Sequence, residues 1–189
     1  MKVMILAFLL AAAGAGLLGR DSYLRLKGFA ATRLVAAATD SYLVDGAPHT
    51  PWSWADFHPV GRLYVPKLGV KRDILEGGEG QTMAFGLSHL PYTAKPGEGG
   101  HVALAGHRDS WGGFMGDLRL RDLLIVDTPT GDQAYRVSDL QVVPYDDTSA
   151  LDVEQGPGLT LVTCHPVDGI LPTKMRLIVR AEEVESRGI

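Results

Sequence analysis

The chain reads as a β-dominated domain, a closed barrel with one or two short helices, set behind an N-terminal apolar helix. Three observations predict this. From Val60 onward, seven short β-like runs recur at near-regular spacing, and clusters of Gly, Pro and Asp separate them. Residues 3–19 instead form a stretch of seventeen without a charge, bounded by Lys2 and Arg20. A sandwich would satisfy the strand spacing too, but closure removes the unpaired edges that an open sheet must hide. With 46% apolar and 21% charged residues the chain is ordinary for a globular protein. The part after the N-terminal segments, about 130 residues, is long enough to bury a core.

As a helix, residues 3–19 would span roughly 25 Å, inside the range of membrane-crossing helices. The segment is expected to be retained as an anchor. The alternative is a cleaved signal peptide, for which Ala11-Ala12-Ala13 and Ala13-Gly14-Ala15 offer small-residue sites. Either route exports the C-terminal domain. Residues 21–39 read as a helix, since Leu24, Leu26, Phe29, Ala30, Leu34 and Val35 recur on a loose 3.6-residue pattern with Arg25, Lys27 and Arg33 between them. This helix is read as a stalk packing on the domain rather than as a membrane-surface helix. Residues 40–58 form a linker by their Gly46, Pro48 and Pro51, and Trp52 and Trp54 within it are expected to close the bottom of a barrel. The organisation is therefore anchor or signal peptide at 1–20, helical stalk and Pro/Trp-containing linker at 21–58, and barrel at 59–189.

The β-like runs are 61–66, 70–75, 101–105, 123–128, 134–143, 159–164 and 175–181. One short helix is expected at 81–89, where Met83, Ala84 and Leu87 share a side. A net charge of −4 gives no basic patch to follow a phosphate backbone, so nucleic acid is excluded as a partner. One cysteine forms no internal disulfide and no Cys-rich zinc site. An exported domain that keeps a lone thiol must bury it or use it.

That thiol ends the apolar run Leu159-Thr160-Leu161-Val162-Thr163-Cys164, just before His165-Pro166. By itself such a cysteine reads as a small core residue. It becomes a nucleophile only as thiolate, with an imidazole or cation nearby and a donor for the oxyanion its attack creates. Two other runs supply these at their ends. His107 follows Gly106 after the run at 101–105, so its ring can project from a rim, take the thiol proton and later protonate a leaving amine. Arg176 enters the last run with a planar fork of donors suited to an oxyanion or peptide carbonyls. His165 is the competing base, disfavoured because adjacent residues of an extended chain point to opposite faces. Arg108 and Asp109 are read as a local ion pair, as groups orienting the His107 ring, or as structural residues.

In this wording, Gly106-His107, then Thr160-Leu161-Val162-Thr163-Cys164, then Arg176-Leu177-Ile178-Val179, the chain resembles the sortases, membrane-anchored cysteine transpeptidases with a Gly-His segment, a TLxTC box and a following strand arginine. The likeness covers roughly residues 59–182. Its His-Arg-Asp wording and the Pro51-Trp52-Ser53-Trp54-Ala55-Asp56 stretch look most like the sortases of Gram-negative bacteria. The resemblance implies an eight-stranded closed barrel with Cys164, His107 and Arg176 catalytic. It implies a substrate groove between the 145–158 and 165–173 loops, with Thr163, Tyr145, His165 and Pro166 as substrate-binding positions. The partners implied are a secreted protein with a C-terminal sorting signal of LPxTG type, cut between threonine and glycine, and an amine acceptor at the cell surface. No metal or organic cofactor is implied. The chain would sit in the inner (cell) membrane as a single-pass protein, its catalytic domain facing the periplasm or cell exterior. Three other readings compete: an exported cysteine hydrolase, a membrane-tethered β-domain with an inert Cys164, and an L,D-transpeptidase. The last places its cysteine in a Ser-x-Gly-Cys-x-Arg setting, which residues 160–165 do not match.

Overall fold

The computed structural model describes residues 2–77, 80–147 and 156–184, and within the first helix the side chains at 4, 5, 14, 16 and from 18 onward. The chain forms two compact units, residues 1–34 and 35–189. One helix, α1 (Lys2–Asp45), runs through the first unit and into the second. In the first unit it is braced at successive turns: Arg25 Nε lies 2.7 Å from Asp21 Oδ2, and Arg33 stands 5.0 Å over the Phe29 ring. Among the described residues no helix is long and apolar enough to cross a membrane. Most side chains of the anchor expected at residues 3–19 lie outside the described residues.

In the second unit α1 continues to Asp45, six residues beyond the end expected from its apolar pattern. Packing extends it. Val35, Ala38 and Thr39 are buried, and Val35 joins a small cluster with Phe57, Leu75, Trp52 and Phe85. Arg62 anchors the same turns, with Asp40 at 2.6 Å and Asp73 at 2.7 Å. Gly46, at φ +69°, then turns the chain by donating to Tyr42 O at 2.8 Å, a left-handed cap that glycine adopts without strain. Of the two linker tryptophans only Trp52 packs, edge-on to Phe57 and Phe85 at 5.5 and 5.3 Å. Trp54 is 82% exposed, which corrects the expectation that both close the barrel. A strand-like Trp-x-Trp repeat sends both rings one way, but residues 46–56 are irregular and separate them.

Eight strands follow: β1 (Phe57–Val65), β2 (Val70–Gly77), β3 (Leu87–His89), β4 (His101–Ala105), β5 (Leu123–Thr128), β6 (Gly131–Pro144), β7 (Gly158–His165) and β8 (Met175–Val184). They close into one barrel in the order β1-β2-β3-β4-β7-β8-β6-β5. Alternation along β7 shows how the core forms: Leu159, Leu161 and Thr163 are buried, while Val162 and Cys164 are only partly so. Inward residues such as Leu63, Leu104, Leu124 and Val179 fill the interior, capped at one end by Phe114, Met115 and Leu118. Truncating one of the fully buried leucines to alanine costs about 2–5 kcal/mol.

The helix expected at 81–89 is replaced by a 3-10 turn (Thr82–Ala84) and strand β3. The reason is close contact. A Cβ on Gly86 would stand 2.6 Å from Asp73 O, so the chain lies flush on β2 and pairs with it in parallel, Ile74 opposite Leu87. A three-residue strand is too short to show a period of two, and its apolar residues mimic a helix face. β1 also starts earlier than its apolar run, at Phe57. Pro59 is accommodated because the β1–β2 register shifts between Pro59 and Gly61, a bulge where no ladder hydrogen bond is required of it.

Candidate active site

The site is built where three strands meet one rim. β4 and β7 run parallel with Ala105 opposite Val162, so both leave the sheet on the same side. β8 is antiparallel to β7 and enters there, with Cys164 opposite Arg176; on its other flank Arg176 stands opposite Val143 of β6. One row across the sheet thus reads Val143, Arg176, Cys164. Residues directly opposite in an antiparallel pair share a face, with Cβ atoms about 4.5–5.5 Å apart. The β4–β7 register continues one step further, since Gly106 N donates to Val162 O at 3.0 Å and Thr163 Oγ1 donates to Gly106 O at 2.8 Å. His107 follows Gly106 directly, just past the end of β4 that lies beside the Cys164 end of β7.

The segment carrying His107 is held by backbone contacts that side chains would forbid. Gly112 N and Ser110 N donate to His107 O at 2.8 and 3.2 Å. A Cβ on Gly112 would stand 2.6 Å from Gly106 O. Trp111 Nε1 donates to Ala84 O at 3.0 Å, and Arg72 Nε donates to Trp111 O at 3.3 Å while its guanidinium stands 5.7 Å over the indole. Burial pulls the Arg72 pKa below its ordinary value, yet arginine stays charged. Arg108 fastens the next junction. Its Nη1 donates to Pro166 O at 2.9 Å and its Nη2 to Leu171 O, so the residue after His107 grips the loop after Cys164.

Within this frame the side chains of the candidate site are left open. His107 is exposed and makes no side-chain hydrogen bond among the described residues. Cys164 is partly exposed as a free thiol. Arg176 donates from Nη1 to Met175 O at 3.1 Å and stands 6.0 Å from the Tyr145 ring. Tyr145 is fixed there by its own amide, which donates to Lys174 O at 2.7 Å.

Cys164, Arg176 and Tyr145 thus stand together at the end of β7, with His107 just past the end of its parallel partner β4, and the other three expected substrate positions are placed as follows. Thr163 is 2% exposed, and its hydroxyl joins β7 to Gly106. His165 and Pro166 line a separate cavity of about 620 Å³, shared with Arg108 and Leu177. Strand alternation turns a residue next to Cys164 to the reverse face. The Arg108 grip and the Arg72–Trp111 brace are contacts that sequence reasoning missed. The Trp111-Gly112-Gly113 stretch, an aromatic before paired glycines, is the one local signal of such close backbone packing.

A family model described as "Sortase domain" matches residues 63–184, which includes every member of the row. The chain belongs to the sortase family. Sortase D of Bacillus subtilis (strain 168) is 29% identical over 125 residues, covering 66% of this chain and 63% of that protein. The chain thus spans less than two thirds of that curated relative's length. Among solved structures, sortase C-1 from Actinomyces oris is similar at 30% identity with a TM-score of 0.58, covering 67% of this chain and 74% of that one. Sortase A from Corynebacterium diphtheriae is similar at 26% identity with a TM-score of 0.62, covering 70% and 63%. A pilus-related sortase C of Group B Streptococcus, at 26% identity and a TM-score of 0.62, covers 84% and 89%. The closed eight-stranded barrel with one helix is the sortase fold.

Proposed function

We propose that this sortase domain is a cysteine transpeptidase, anchored in the membrane by residues 3–19, that joins a secreted protein to an amine at the cell surface. The observation that carries the reading is the row Arg176–Cys164, with His107 just past the end of β4, the parallel neighbour of β7. Cys164 Sγ attacks the carbonyl between threonine and glycine of an LPxTG-type sorting signal. The oxyanion forms where the Arg176 guanidinium can receive it, an interaction that strengthens as charge develops. His107 gives its proton to the departing glycine amine, the C–N bond breaks, and a thioester remains on Cys164. An incoming amine then forms a new C–N bond to the acyl carbon, its proton passes to His107, and the thiolate leaves.

Beneath the row Val143, Ile178 and Val162 form a separate apolar cluster, the first two buried and Val162 partly so, and the exposed Tyr145 ring beside Arg176 is the apolar surface offered to an extended peptide. The support for the anchor is the charge-free stretch at residues 3–19, which would place the domain outside the inner (cell) membrane.

The test uses the full chain in detergent with an LPxTG-type peptide and either hydroxylamine or a glycine-ended peptide. The expected product is an amine adduct at the threonine carboxyl, identified by mass spectrometry, with turnover rising as amine is added. Threonine acid alone at saturating amine would instead make it a cysteine hydrolase, and an uncleaved panel of such peptides would refute the substrate class.

A further inference from the structure

Past the end of β4 the sheet no longer holds His107. The last contacts of that ladder belong to Gly106, whose N donates to Val162 O at 3.0 Å and whose O accepts from Thr163 Oγ1 at 2.8 Å. The His107 ring makes no side-chain hydrogen bond among the described residues, so no third group orients it as a base beside a nucleophile is commonly oriented. Its placement falls to the residues on either side of it. The next tie across the same gap comes from Arg108, whose Nη1 donates to Pro166 O at 2.9 Å, 58 residues away, and whose Nη2 donates to Leu171 O, 63 residues away. His107 thus stands between Gly106 and Arg108, and Cys164 between Thr163 and Pro166, the residues those two hold. The bridge is itself set from both ends. A Cβ on Gly113 would stand 2.9 Å from Arg108 O, and one on Gly169 would stand 3.1 Å from Arg108 Nη1. Pro166 O also accepts from Gly169 N at 3.1 Å, which closes the turn that the guanidinium grips. Among the described residues Arg108 forms no ion pair with Asp109 or Asp168, so its fork is spent on backbone carbonyls alone.

We propose that Arg108 is a positioning residue: by tying the segment of His107 to the loop between β7 and β8, it fixes the separation across which the imidazole and the Cys164 thiol exchange a proton. The inference rests on the transfer reading only in taking His107 as the base. A guanidinium suits the task because its planar fork reaches two carbonyls at once, whereas a lysine ammonium is a point charge on a flexible stem. A displacement of about 1 Å between reacting groups costs as much as 10²-fold in rate, so a side chain that does no chemistry of its own can govern the chemical step.

The experiment follows alkylation of Cys164, the only cysteine, by iodoacetamide at pH 7 in the full-length chain in detergent, with rates counted per folded molecule. Arg108→Ala, Arg108→Lys, His107→Ala and the double variant Arg108→Ala, His107→Ala are compared with the wild type. His107→Ala and Arg108→Ala are each expected to slow alkylation by about threefold or more, the thiolate being the reactive form. In the His107→Ala background the second substitution should add less than about twofold, because Arg108 acts through the ring. Arg108→Lys should match Arg108→Ala, and it carries the comparison where the alanine variant does not fold. A wild-type rate in the lysine variant would show that charge acts and not the bridge; that result, a wild-type rate in Arg108→Ala, or additive effects in the double variant would overturn the proposal. An unchanged rate in His107→Ala would overturn it together with the assignment of the base. With an LPxTG-type peptide, Arg108→Ala should lower kcat by about tenfold or more and leave KM within about threefold, whereas a raised KM at unchanged kcat would make the residue a substrate contact and overturn the positioning role. Alkylation needs no peptide, so a coupled pair in a chain that cleaves no such peptide refutes the substrate class and leaves the positioning role standing.

Discussion

The parallel ladder of β4 and β7 has a histidine at each end, and the two are opposites. His101 opens β4, is 8% exposed, and has its Nε2 2.8 Å from Thr160 Oγ1 on β7. His107 lies past the other end of β4, exposed and without a side-chain hydrogen bond among the described residues. One ladder thus couples a satisfied, buried imidazole at its closed end to an open one at its rim. The difference teaches where to look for chemistry: the polar side chains that packing has already used are structural, and those that a rigid frame leaves unused can serve a substrate.

The largest effect expected is at the open end. Cys164→Ala removes one partly exposed sulfur, so the melting temperature should move by about 1 °C or less while acyl-enzyme formation is lost entirely. A thioester adduct still detected by mass spectrometry in that variant would move the nucleophile elsewhere. Next is Arg176→Lys, which keeps the charge but loses the planar fork. Turnover should fall roughly 10²-fold or more, the scale of losing one oxyanion donor. Turnover near that of the wild type would make the arginine structural, in the same class as His101.

At the closed end the same logic predicts the reverse pattern. Thr160→Val keeps the shape of a fully buried side chain but leaves the His101 ring nitrogen unpaired, at a cost of about 1–3 kcal/mol. Denaturant unfolding should show that loss, with kcat/KM per folded molecule unchanged within about twofold. A large loss of turnover at unchanged stability would show that the two ends are not separate.

The smallest effect is the pH dependence of stability. Burial, the dominant cause, holds the His101 imidazole below its ordinary pKa near 6.5. As pH falls, the unfolded chain therefore takes up this proton before the folded one, and the contribution of a neutral His101 is complete above about 6.5 and lost as pH drops below it. The melting temperature should decline between pH 7.5 and 5.5, and the decline should be shallower in His101→Gln. An identical slope in that variant would assign the dependence to other groups.

Much of the candidate site was legible because the chemistry proposed for it needs rare residue types in a fixed order. One cysteine, a glycine-preceded histidine and a strand arginine stand at the ends of three apolar runs, and the offset of 57 residues from His107 to Cys164 equals the register offset of Ala105 and Val162. Seven of the eight strands were visible for the same kind of reason, since apolar runs bounded by breakers carry their signal locally. The sequence by itself thus determined the β-rich class and which residue types meet at a strand end. Only the tertiary structure decided which face each of them shows. Thr163, His165 and Arg108 are sequence neighbours of the candidate site residues, yet pleating and long-range hydrogen bonds make them a tie, a cavity wall and a clamp. β3 and the last turns of α1 belong to the same category: their stability comes from partners distant in sequence, Ile74 and Leu75 for the strand and Phe57 and Arg62 for the helix, and no local period announces a contact of that kind.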